Sequence, residues 1–111
     1  MLKYLKLMDQ VKQINKQLDL SYHEIELLDL AAKAHFSEQS IFVGDLIYQR
    51  NIASQATLHA VFKSLLDKKL LSTKYHEEDG RVKKVTLTKA SIDHYKRLHR
   101  EITRATSKYD S

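Results

Sequence analysis

A mainly α chain with one small β-hairpin, of class α+β, follows from three observations on this sequence. Apolar residues recur at helical spacing through most of its 111 residues. Two short runs that favour strands, Leu71 to Tyr75 and Val82 to Thr88, flank a turn carrying Asp79-Gly80, a strong hairpin signal. A well-capped amphipathic helix beginning at Ser54 runs directly into that hairpin. The length suits a single domain, residues 1–111, and no internal repeat, low-complexity tract or proline-rich linker divides it.

Taken in order, Tyr4, Leu7, Val11, Ile14 and Leu18 alternate at spacings of three and four, which is a helical stripe widened by Leu5 and Met8. So long a stripe on a terminal helix needs a partner, in its own domain or in a second subunit. Ser21 followed three residues later by Glu24 is a capping-box pattern, and it opens a helix to about His35 with Ile25, Leu28, Ala31 and Ala32 on one face. Residues 36–40 break the period. Ile41-Phe42-Val43 favours a single short strand lying against the hairpin, and Gly44 to about Gln49 a short helix that turns Leu46 and Ile47 inward.

After the turn Arg50-Asn51-Ile52-Ala53, Ser54 caps a helix whose Leu58, Val61, Phe62, Leu65 and Leu66 must face the core. Its other face carries Gln55, Ala56, Thr57, His59, Ala60, Lys63 and Ser64, with no acid before Asp67. Glutamine, threonine and histidine bond base edges, and alanines permit the close approach that major-groove insertion requires. In the second strand Val85 and Leu87 alternate with Lys84 and Thr86. Arg81 stands where a wing tip enters a minor groove, Asp79 is placed to pair with an arginine, and Lys83 and Lys84 are phosphate candidates with Arg50, Asn51 and Ser54. The last helix, from Lys89 to about Lys108, bears a second stripe of Ile92, Tyr95, Leu98, Ile102 and Ala105.

Charge supports the same reading. Residues 1–49 carry five lysines and seven acids, a net of −2, whereas residues 50–111 carry fourteen basic residues and seven acids, a net of +7. That asymmetry is the pattern of a chain whose second half faces a polyanion. The absence of cysteine excludes disulfides and thiolate chemistry. The lysine-interrupted N-terminus is a poor signal peptide, and no apolar run approaches the ~20 residues of a membrane span. A cytoplasmic protein without a membrane partner is expected. No two of the six histidines, at 23, 35, 59, 76, 94 and 99, stand three or four apart, so no metal site is expected. No nucleophile elbow, phosphate-binding loop or dinucleotide motif is present, so neither an enzyme nor a cofactor is expected.

The run Ser54-x-Ala56-Thr57-Leu58, continuing to Leu65 and Asp67-Lys68-Lys69-Leu70-Leu71, resembles the recognition helix and first wing strand of the MarR family of winged helix-turn-helix transcriptional regulators. Asp79-x-Arg81 followed by Leu87-Thr88-Lys89 resembles that family's wing signature. The likeness covers about residues 41–90. It implies a homodimer joined through terminal helices at 1–20 and 89–109, with residues 41–88 as the DNA-binding core. Tyr4, Leu7, Val11, Ile14 and Leu18 would then meet Ile92, Tyr95, Leu98, Ile102 and Ala105 at the dimer interface. Recognition helices would lie in successive major grooves and Arg81 in a minor groove. Two positions depart from the pattern: Lys69, where the family usually has glycine, and Ala90, where a glycine often begins the last helix. Lys69 must therefore adopt a left-handed conformation, or the turn differs. The chain is short for the family, whose effector pocket lies between its two parts, and the sequence names no small-molecule effector. The competing reading is a winged-helix protein-interaction module without DNA binding, favoured by Glu77, Glu78 and Asp79 in the wing turn.

Overall fold

The computed structural model describes residues 2–75 and 83–110, with side chains described as far as residue 105. Its elements run α1 (Lys3–Lys16), α2 (Tyr22–Phe36), β1 (Ile41–Phe42), α3 (Val43–Ile47), α4 (Gln55–Asp67), β2 (Leu71–Tyr75), β3 (Lys83–Leu87) and α5 (Lys89–Asp110). The chain divides into two compact units, one of residues 21–92 and one formed by the segments before Ser21 and after Ile92. The first contains the helix-turn-helix and the sheet.

In that unit α2 starts where the sequence places it. The Ser21 hydroxyl accepts from the Glu24 backbone at 3.2 Å, and the Glu24 carboxylate accepts from the Ser21 N–H at 2.9 Å. The buried face of α2 is Glu24, Leu27, Leu28, Ala31, Ala32 and Ala34. Ile25 is only half-buried and Leu27 takes the inner position expected of it. The reason is the burial of Glu24, which centres the inner stripe on the i, i+3, i+4, i+7 set that begins there.

A second difference concerns Val43, which is the first residue of α3 rather than the last of a strand. The Phe42 N–H donates to the Asp45 carboxylate at 2.9 Å, so the chain turns helical one residue early. The remaining strand β1 lies against β3 as expected, with Ile41 opposite Val85 and Phe42 opposite Lys84. The antiparallel sheet has the order β1-β3-β2. Leu71, Val85 and Leu87 are buried on its inner face, together with Leu46, Ile47, Leu58, Phe62, Leu65 and Leu70 of the neighbouring segments.

The junction from α4 to β2 resolves the glycine departure. Lys69 has φ 59°, in the left-handed region. Leu70 N–H donates to the Leu65 carbonyl and Lys69 N–H to the Leu66 carbonyl, both at 3.0 Å, which is the Schellman pairing that closes a helix. Glu38, with φ 56°, closes α2 the same way through Gln39 N–H to Ala34 and Glu38 N–H to His35.

In the second unit, α1 ends at Lys16, two residues before the stripe does, because the chain reverses through Asp19 at φ 53°. The stripe is graded. Tyr4 is exposed, Leu7, Val11 and Leu18 are half-buried, and Ile14 is buried. Asn15 Oδ1 lies 3.0 Å from Nε2 of the buried His94, and Arg97 hydrogen-bonds Gln17. The C-terminal end of α1 is thereby fastened to the α5 residues that begin at Asp93.

Candidate nucleic-acid interface

Helix α4 presents the residues that the sequence singles out. Gln55, Ala56, Thr57, His59, Ala60 and Lys63 are all exposed, while Leu58, Phe62 and Leu65 are buried and Val61 and Leu66 half-buried at the margins. Ser54 caps the helix by accepting from Thr57 N–H at 3.3 Å, and its hydroxyl donates to Thr57 Oγ1 at 3.0 Å. Ser54 is thus engaged in closing the first turn, and Thr57 retains its own hydroxyl proton for a further partner. Arg50 and Asn51 are exposed in the turn just before this cap. They stand beside the end of α4 where unpaired backbone N–H groups give a partial positive charge.

Besides their buried apolar faces, α2 and α4 are joined by a polar contact that the sequence does not display. The carboxylate of Glu24, only 5% exposed, accepts from Ser64 Oγ at 2.8 Å and from Lys68 Nζ at 2.9–3.0 Å, besides its Ser21 bond. Burial alone would raise this carboxyl. The bonds from the Ser21 backbone, Lys68 and Ser64 outweigh that effect and hold it below its ordinary value. One carboxylate therefore joins the start of α2 to the last turns of α4.

The wing strands pair in the register Leu71↔Leu87, Ser72↔Thr86, Thr73↔Val85, Lys74↔Lys84 and Tyr75↔Lys83. Lys83 is exposed, with Nζ 5.6 Å from the centre of the exposed Tyr75 ring, and Lys84 is half-buried. Residues 76–82 connect the strands, and Asp79 and Arg81 lie outside the described residues. Lys74 and Tyr75 belong to this end of the sheet too. Strand alternation from Leu71 already pointed Lys74 outward. At the other end Thr88 Oγ1 donates to the Lys69 carbonyl at 2.8 Å. Thr88 and the buried Ser91 cap α5 reciprocally: Thr88 N–H donates to Ser91 Oγ at 2.9 Å, and Ser91 N–H to Thr88 Oγ1 at 3.3 Å.

Among the described residues no three His, Asp or Glu side chains gather to hold a metal ion, and no helix is long and apolar enough to cross a membrane.

A three-helix core with a helix ending in a β-wing defines a winged helix-turn-helix. No protein-family model matches the sequence, and no curated protein matches it. Solved structures do. MepR of S. aureus in complex with DNA superposes with a TM-score of 0.73 at 16% identity, over 96% of this chain and 78% of that one. YusO of Bacillus subtilis gives 0.63 at 15% identity over 96% and 72%. The adhesin competence repressor AdcR of Streptococcus pyogenes gives 0.56 at 21% identity over 97% and 76%. At these identities the likeness is one of fold, and the fold is that of the MarR-family winged-helix regulators.

Proposed function

We propose that the chain is a sequence-specific double-stranded DNA-binding transcriptional regulator of the MarR type, acting as a homodimer. The observation that carries this reading is the outer face of α4, which is exposed, small, polar and free of acids over its first three turns. A face kept merely for solubility would mix Glu with Lys. The reading gains support from the shared fold with MepR, a protein solved in complex with DNA. On it, Gln55, Thr57, His59 and Lys63 address base edges in the major groove, and Ala56 and Ala60 make apolar contact. Arg50, Asn51, Ser54, Lys83 and Lys84 meet phosphates, and Arg81 enters the minor groove with Asp79 directing it.

Titration of the full chain against random-sequence duplex at several salt concentrations tests the proposal. A regulator of this kind gives log affinity falling linearly and steeply with log salt, by about 0.9 per phosphate contact. No binding at low salt would reject it in favour of a protein-interaction module. Selection of bound sites from a random duplex pool then reads out the operator.

A further inference from the structure

We propose that Lys74 and Lys84 form a cross-strand phosphate clamp on the outer face of the wing, with Lys74 as a DNA contact in its own right. The inference rests on the DNA-binding reading above and adds a residue and a geometry to it. In the β2–β3 ladder Lys74 stands directly opposite Lys84. Both project from the face opposite to the buried Leu71, Val85 and Leu87, because strand neighbours alternate. Like charges directly opposite one another destabilise an antiparallel pair, and a hairpin selected for folding alone would set an acid across from Lys84.

Among the described residues of the ladder no acid stands beside the pair. On its other side Lys84 faces Phe42 of β1, and the next cross-strand pair on this face is Ser72 with Thr86, two uncharged hydroxyls. Lys83 lies on the opposite face, over the Tyr75 ring. Among the described residues the arrangement thus concentrates positive charge at the Tyr75–Lys83 end of the sheet. Its natural complement is a closely spaced row of single negative charges, as on a phosphodiester backbone. Two ammonium groups on flexible stems bind such a row as point charges, without sequence preference.

The two demands on Lys74, folding and binding, pull in opposite directions, and that opposition is the test. In the full chain, Lys74→Ser should unfold at an equal or higher temperature than the unsubstituted protein. Its affinity for duplex should be several-fold weaker, and its salt slope shallower by about 0.9. Preference among duplex sequences should not change. Lys33→Ser, on the exposed face of α2, removes the same charge elsewhere and should leave the slope as it was. A steep slope in the unsubstituted chain that Lys74→Ser does not reduce overturns the clamp alone. So does an equal reduction in Lys33→Ser, which would assign the effect to net charge. Failure of the unsubstituted chain to bind any duplex overturns the clamp together with the DNA-binding reading. Binding of an acidic peptide in place of duplex would do the same.

Discussion

Glu24 illustrates how much one side chain can carry in a domain this small. Its carboxylate closes the N-terminus of α2 and also receives Ser64 and Lys68 from α4, forty and forty-four residues further on. Because the folded carboxyl titrates below its ordinary value, its contribution is complete above the unfolded titration range, near pH 4, and is lost as pH falls through the folded value. Glu24→Gln should therefore lower stability by about 1–2 kcal/mol at neutral pH, and the difference from the unsubstituted chain should shrink on acidification. Denaturant unfolding at a series of pH values checks this; a difference independent of pH would dissociate Glu24 from the effect. Lys69 offers the opposite case, a residue in a conformation that costs energy. Lys69→Gly should raise stability by about 1 kcal/mol, seen as a higher unfolding temperature, since glycine enters the left-handed region without the Cβ clash.

Among the elements, α4 and the wing strands follow from local rules legible in the sequence, and the polar lock between α2 and α4 does not. Ser54, the helical spacing of Leu58, Phe62 and Leu65, and the alternation of Val85 and Leu87 each act within a few residues, so the sequence displays them directly. The capping role of Glu24 was visible for the same reason. Its bonds to Ser64 and Lys68 join positions that only the folded chain brings together. The register that sets Lys74 against Lys84 is likewise a property of the pair of strands. The outer face of α4 yields a prediction that separates its residues by role. Lys63→Ala should weaken binding to all duplexes alike and reduce the salt slope by about one unit. Gln55→Ala should cost about 1–3 kcal/mol on the selected operator and relax preference at one base pair. Competition titrations with single-substituted operators distinguish the two outcomes; identical behaviour of both variants would contradict groove insertion by this face.

For the whole molecule, the terminal helices raise the question of assembly. Within their unit, His94–Asn15 and Arg97–Gln17 fasten one end, where Ile14 is buried. Tyr4 and Leu5 at the other end of α1, and Ile102 further along α5, stay exposed. An apolar stripe buried at one end and open at the other suits a surface completed by a second copy of the chain. Leu5→Glu should then convert a dimer to a monomer without loss of helix content. Sedimentation equilibrium measures the change, and an unsubstituted chain that sediments at the mass of one copy would remove the dimer from the proposal. The stripe was plain in the sequence, but its gradation was not, since burial depends on which turns meet a neighbour.

The bond from Thr88 to the carbonyl of Lys69 has a mechanical meaning as well. That carbonyl belongs to the residue that closes α4, and Thr88 both ends the wing and caps α5. Three elements thus meet at one junction. The end of α4, the end of the wing and the start of α5 are tied at one side chain, so Thr88→Val should loosen all three together and lower the unfolding temperature.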